Sequence, residues 1–165
     1  KKYGAAIIAL PNDETEIPED PKRRLELCHK IVHVATTKYG IPAEDIVIDP
    51  LAMPIGADSL HAVRTMDAIS MIRDQLGVNM TLGASNVSFG MPDRHTLNAT
   101  FLPMAMKAGL TSAIMDARSP QIVEKLGKQG LITTGGTAAS FGAVIKGERD
   151  KWEKVVTEAG IAKVE

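Results

Sequence analysis

The sequence has a single cysteine, Cys28, so no disulfide can form within the chain, and the expected setting is a reducing compartment, the cytoplasm. It has almost no net charge: 19 Lys and Arg against 20 Asp and Glu give a formal −1. Nucleic acid and anionic membranes are therefore not expected partners, since both call for a basic footprint. No apolar run approaches the roughly 18 residues that a membrane span needs. A signal peptide is not expected either, because Lys1-Lys2 precede a short strand-like run that leads straight into an acidic loop. No lysine follows Gly135-Gly136 at P-loop spacing and there is no G-x-G-x-x-G, so these glycines read as a plain loop. His29 and His33 stand at i, i+4 but lack the glutamate of an H-E-x-x-H motif. The histidines His29, His33, His61 and His95 therefore read as surface residues, and no metal site is expected.

What is present suffices for one domain with a real core: 165 residues, 44% hydrophobic and 24% charged. The chain starts at Lys1, without a methionine and inside a strand-like run, and reads as a fragment. Tyr3 to Leu10 is a short continuous apolar run, the pattern of a strand covered on both faces. An acidic loop follows, and Asp20-Pro21 is a helix start with Asp20 as N-cap. Arg24 to Tyr39 is amphipathic, with Leu25, Cys28, Ile31, Val32 and Ala35 on one face and Gly40 closing it.

The same alternation continues. Ile46 to Ile48 is a second strand, stopped by Asp49-Pro50-Leu51, and a helix capped by Asp58 or Ser59 runs to about Leu76 and ends at Gly77. Val78 to Ala84 is a third strand; Thr96 to Ala108 is a helix that Pro103 is expected to kink or shorten. Thr111 to Met115 is a fourth strand ending at Asp116, and Ser119-Pro120 opens a helix through Leu126. Residues 1–130 thus read as four βα units, and 131–165 as a Thr- and Gly-rich loop with a terminal helix over Glu148 to Ala159. Repeated βα units imply an α/β fold with a parallel sheet, either doubly wound or part of a (β/α)8 barrel. Asp49, Asn86 and Asp116 all fall at strand carboxyl ends, where both architectures place their sites.

The stretch Met80 to Arg94 stands out. Gly83, Ala84 and Ser85 let a flat ligand approach the backbone; Asn86 both donates and accepts hydrogen bonds; Arg94 adds a fixed cation. Asp49 is a carboxylate able to accept two adjacent donors, or equally the cap of an Asp-Pro turn. Asn86 is a site amide or a turn asparagine, and Arg94 is a ligand neighbour or a solvated partner of Asp93. Asp13 reads as a solvated loop acid and Asp116 as a strand-terminal cap.

Ile48-Asp49-Pro50-Leu51, then Gly83-Ala84-Ser85-Asn86-Val87-Ser88-Phe89-Gly90, then Arg94, Leu97 and Asn98 resemble the methyltetrahydrofolate:corrinoid methyltransferases. These belong to a pterin-binding group that includes the folate module of cobalamin-dependent methionine synthase and dihydropteroate synthase. The resemblance covers most of Tyr3 to Asp116. It implies a (β/α)8 barrel of which this chain supplies the C-terminal half, strands five to eight. It further implies transfer of the N5 methyl of methyltetrahydrofolate to cobalt in a corrinoid (cobalamin) carried by a partner protein. Asp49, Gly83, Ser85, Asn86 and Arg94 would bind the pterin, with Asn86 as the catalytic residue stabilising charge at N5. A homodimer closing one barrel is expected. The rival readings are a non-catalytic or incomplete pterin-binding half-barrel and a dihydropteroate synthase-like enzyme. The synthase relies on a lysine near the seventh strand and Arg-x-His near the eighth, where this chain has Ser85-Asn86 and Ala117-Arg118-Ser119.

Overall fold

The β-branched runs of the first half form short parallel strands, and the amphipathic runs between them form the helices that cover those strands. In the computed structural model, which describes residues 2–132 and 135–160, β1 (Ile7–Ala9), β2 (Ile46–Ile48) and β3 (Asn79–Met80) make one sheet in the order β1-β2-β3. All pairings are parallel, with Ile8 opposite Val47 and Val47 opposite Asn79. Strand order follows chain order without the reversal that marks a doubly wound sheet. The fold is α/β, and its three-stranded parallel sheet is consistent with part of a barrel.

Four helices follow the strands: α1 (Pro21–Thr37), α2 (His61–Leu76), α3 (Arg94–Ala108) and α4 (Pro120–Lys128). Each packs on the next, α1 on α2, α2 on α3 and α3 on α4. The core lies between sheet and helices: Ile46, Ile48, Met80 and Leu82 meet Leu25, Cys28, Ile69, Ile72, Phe101 and Ala105. Cys28 is fully enclosed, and burial pushes its thiol up to about 12, which leaves it protonated and inert. A smaller cluster of Ala99, Leu102 and Ile122 joins α3 to α4. Residues Lys1–Leu131 form one unit; Ile132–Glu165 forms a second, containing α5 (Ala138–Glu158). No helix among the described residues is long and apolar enough to cross a membrane.

Several expectations are corrected. The first strand is not covered on both faces: Ile8 and Leu10 are 57% and 47% exposed, because the helices pack only on the face carrying Ile7 and Ala9. Neither Asp58 nor Ser59 caps α2: it starts at His61 with Leu60 before it and no side-chain cap, and the Asp58 side chain accepts from Leu60 N at 2.8 Å in the preceding turn. Pro103 sits inside α3 without ending it. α5 starts at Ala138, ten residues before Glu148, because Thr137 Oγ1 caps it by accepting from Ser140 N. Thr133 and Thr134 of the expected turn lie outside the described residues.

The fourth strand is a short ladder of rungs rather than a regular strand. Ser112 N donates to Met80 O at 2.9 Å, Ile114 N to Leu82 O at 2.8 Å, and Ala84 N to Ile114 O at 3.2 Å. One rung is made by a side chain: Met80 N donates to Thr111 Oγ1 at 2.8 Å, and that hydroxyl donates to Met80 O at 2.7 Å. A hydroxyl in place of a carbonyl interrupts the regular pattern. Thr111→Val keeps the shape but strands the Met80 N–H, and is expected to destabilise by about 1 kcal/mol. A lowered denaturant midpoint with unchanged slope would be the readout.

Candidate functional site

Asp49 follows β2 directly, its N–H donating to Ala9 O at 2.9 Å and so extending the β1–β2 ladder by one rung. Its Oδ1 accepts from Leu51 N at 2.9 Å, and the described residues offer no hydrogen bond to Oδ2. Leu51 takes φ 64°, a left-handed conformation that a non-glycine residue adopts only where its surroundings hold it. Burial pushes the Asp49 carboxyl above the usual carboxylate range, against the opposing pulls of Leu51 N–H and the Arg24 guanidinium. Asp49 is thus both a turn-former, through Oδ1, and a carboxylate with a free oxygen.

Arg24 lies beneath this turn, fully buried. Its Nη1 donates to Pro50 O at 3.0 Å and to Leu51 O at 2.8 Å, while Nε donates to Pro18 O at 2.7 Å. Sequence reasoning treated Arg24 only as the start of a helix. The signal was its position: Arg24, Cys28, Ile31 and Ala35 share the inward face at helical spacing, where an arginine is out of place unless it binds something.

The next strand end carries the second group. Gly83 bridges to Ile114, and Ala84–Ser88 makes a short 3-10 turn. Asn86 is exposed on this turn, and its amide folds back over Gly83: a Cβ on Gly83 would stand 3.1 Å from Asn86 Nδ2. The described residues give the Asn86 side chain no hydrogen-bond partner. Ser85 and Arg94 shape the turn. Arg94 Nε donates to Ser88 Oγ at 3.1 Å and Nη2 to Ser85 O at 2.9 Å, with the guanidinium 5.9 Å from the Phe89 ring centre. Ser85 Oγ accepts from the buried Asn98 Nδ2 at 3.2 Å. Arg94 therefore grips its own loop and does not pair with Asp93. Ile55 N donates to Val87 O at 2.9 Å, joining this loop to the one that follows Asp49.

The other candidates are engaged elsewhere. Asp13 Oδ1 accepts from Thr15 N, Thr15 Oγ1 and Glu16 N, and Oδ2 from Arg23, which together hold its carboxyl well below the usual range. Asp116 accepts from Arg118 Nε and N, which likewise lower it. His29 and His33 are exposed, but His61 is buried, contrary to the surface reading: its Nδ1 lies 2.8 Å from Pro54 O and its Nε2 3.6 Å from Glu19 Oε1. Glu19, Asp58 and His61 cluster, yet Arg64 Nη1 already bridges the two carboxylates at 2.8 and 2.9 Å, so a guanidinium occupies the place a cation would take.

The parallel βα framework thus leaves a carboxylate oxygen and a carboxamide without partners among the described residues, beyond the ends of neighbouring strands β2 and β3, on the carboxyl side where such frameworks carry their sites. The model of the family described as "Pterin binding enzyme" matches residues 1–116. The chain is 32% identical over 123 residues to the methionine synthase of Mycobacterium leprae (strain TN), a match covering 70% of this chain and 10% of that protein. The methionine synthase of Mycobacterium tuberculosis (strain ATCC 25618 / H37Rv) matches with the same identity and coverage. The matched region is about a tenth of the length of these curated relatives. The chain belongs to the pterin-binding enzyme family and is related to methionine synthase.

The raised Asp49 pKa has a stability consequence of definite sign. The folded protein holds this proton more tightly than the unfolded chain, so ionised Asp49 subtracts from stability at pH 7. That deficit shrinks as pH falls through the raised folded value towards the ordinary aspartate value. Asp49→Asn can still accept from Leu51 N through its amide oxygen. Its melting temperature is expected to exceed that of the wild type at neutral pH, with the gap closing in acid.

Proposed function

We propose that this chain supplies the C-terminal half, strands five to eight, of a (β/α)8 barrel that moves the N5 methyl of methyltetrahydrofolate to a corrinoid carried by a partner protein. The observation that carries this reading is the pair of unspent groups at neighbouring strand ends, Asp49 Oδ2 and the Asn86 amide. A pterin ring edge presents adjacent N–H donors, which a half-buried carboxylate can accept in strong charge-assisted hydrogen bonds at Oδ2 and at the second lone pair of Oδ1. Asp49 would hold that edge, and Gly83 and Ser85 would line the ring face.

Asn86 would sit near N5. When the methyl–N5 bond breaks, its electron pair stays on N5, a poor leaving group unless it takes a proton from solvent, and charge developing there would be stabilised by a dipole already in place. An amide does not titrate usefully, so Asn86 supports a proton on N5 without delivering it. Arg94, by gripping the Ser85 and Ser88 turn, keeps Asn86 over Gly83. The cobalt of the partner's corrinoid would accept the methyl group.

Titration calorimetry with methyltetrahydrofolate tests the site. Saturable binding by the wild type, weakened at least about a hundredfold in Asp49→Ala, is the expected result. Absence of binding by folded wild-type protein, or an unaffected variant, overturns the reading. Asn86→Ala is expected to lower methyl transfer to a corrinoid protein by about a hundredfold while changing pterin affinity far less. Gly83→Ala crowds the exposed Asn86 amide without touching the core, so it should reduce transfer while leaving the melting temperature nearly unchanged.

The face carrying Ile8, Leu10 and Ile114 is exposed, with Ile114 at 63%, and a homodimer closing one barrel would cover it. Light scattering is expected to give a dimer mass; a monomer would remove this part of the proposal.

A further inference from the structure

We propose that Arg24 is a positioning residue for Asp49: its grip on the Pro50 and Leu51 carbonyls fixes the turn that decides which carboxylate oxygen faces the ligand. The inference rests on the pterin reading of Asp49 for its functional meaning, but its structural half can be tested without any ligand.

An arginine with no exposed surface is costly to desolvate, and an apolar side chain of similar volume commonly serves a core position as well or better. Here the guanidinium satisfies no acidic partner by hydrogen bond. It donates to three main-chain carbonyls, from Pro18, Pro50 and Leu51, which belong to the loops after β1 and β2. Its Nη2 is buried with no partner at all. A charge kept for its own pairing would be fully paired, whereas this one is placed to suit the carbonyls it holds.

The carbonyls it holds are those that matter to Asp49. Pro50 O and Leu51 O flank the Leu51 φ/ψ pair, and Leu51 has the left-handed φ of 64°. Pro50 O and Leu51 N–H belong to one rigid peptide plane, so holding that carbonyl aims the N–H at Asp49 Oδ1, which commits Oδ1 to the turn and leaves Oδ2 available. Thr65 Oγ1 adds a longer contact to Leu51 O at 3.3 Å. Without this hold, Leu51 relaxes towards negative φ, the preceding peptide plane turns with it, and the carboxylate loses the N–H that fixes its orientation. The charge also counts: Arg24 acts on Asp49 together with Leu51 N–H to oppose the effect of burial. Glu19 and Arg64 are the other charged groups that act on Arg24, and the buried Cys28 thiol lies beside it.

Three variants of the full chain separate charge from geometry. In ligand-free protein, the acid midpoint of the Asp49 carboxyl, followed by carbon-13 NMR, is expected to move up in Arg24→Gln. In Arg24→Lys it is expected to move up by less, because the charge stays while the shorter side chain, its Nζ one bond short of the Nη1 position, lets go of the carbonyls and so of the Leu51 N–H that also lowers Asp49. Affinity for methyltetrahydrofolate should fall about tenfold or more in both. Adding Leu51→Gly to Arg24→Lys supplies a residue that adopts positive φ unaided, and should recover most of the lost affinity without recovering melting temperature.

Rescue of affinity without rescue of stability is what a purely structural arginine would not produce. The proposal is overturned if folded Arg24→Lys binds like the wild type. It is equally overturned if affinity falls only in step with the unfolded fraction, or if Leu51→Gly rescues nothing. Should Arg24→Gln fail to fold, the lysine and double variants still decide. If the wild type does not bind methyltetrahydrofolate, or Asp49→Asn binds like the wild type, the pterin reading fails instead. The NMR midpoint then reports independently whether Arg24 governs Asp49, and an unmoved midpoint in folded Arg24→Gln sinks that half as well.

Discussion

Each strand-end turn that carries a candidate functional group is held from behind by a buried polar side chain from the opening turns of a helix. Arg24 of α1 holds the Pro50 and Leu51 carbonyls; Thr65 of α2 reaches Leu51 O and His61 reaches Pro54 O; Asn98 of α3 reaches Ser85 Oγ. These helices approach the sheet with apolar faces further along, so their first turns are the places where a polar group can meet loop backbone without displacing core. Loop carbonyls pointing inwards need donors, since an unmet buried carbonyl costs about as much as a lost hydrogen bond. The helix starts supply them. The rest of the site depends on that arrangement, because a loop held only by its own turn would not fix a side chain to a few tenths of an ångström.

This arrangement places strain beside the proposed site residues. Among the described residues, the non-glycine positions with positive φ are Leu51 and Asp93. One is two residues from Asp49 and the other directly precedes Arg94. The Asp49 carboxyl is also driven upwards by burial, so at neutral pH the fold maintains an ionised group that its surroundings disfavour. A strained turn, a disfavoured charge and an amide without a partner, all at adjacent strand ends, are together hard to explain by stability alone. Ligand binding would relieve the second and third of these.

Much of the framework could be read from the residues. The Asp20-Pro21 start, Gly77 as a left-handed helix end at φ 62°, and the face Leu25–Cys28–Ala35 stand where the pattern put them. Period and capping are local properties, and local properties survive folding. The misses have tertiary causes. The fourth strand differs because the Thr111 hydroxyl replaces a carbonyl in the ladder, which no periodicity records. Ile8 and Leu10 were read as enclosed because a continuous apolar run signals burial on both faces without saying what provides the second cover. Asp49, Asn86 and Gly83 could be named, but not the orientation of Asp49, which depends on an arginine 25 residues earlier in the chain.

Arg94 and Ser85 act in the fold otherwise than their residue types suggest. Both stood out because a cation and a hydroxyl near a flat-ligand site look like ligand contacts. In the fold, Arg94 spends two donors on Ser85 O and Ser88 Oγ, and Ser85 Oγ accepts from Asn98. Ser85 keeps its own hydroxyl proton to donate, so it can still meet a ligand while being held in place. Arg94 can do so only through the donors it has left. The consequence is a division of labour: charge steadies the loop, and the groups left to face a ligand are a carboxylate oxygen, an amide and bare backbone at Gly83. Under the proposed function, such a surface would discriminate by the pattern of donors on a ring edge and by flatness, and a pterin presents both.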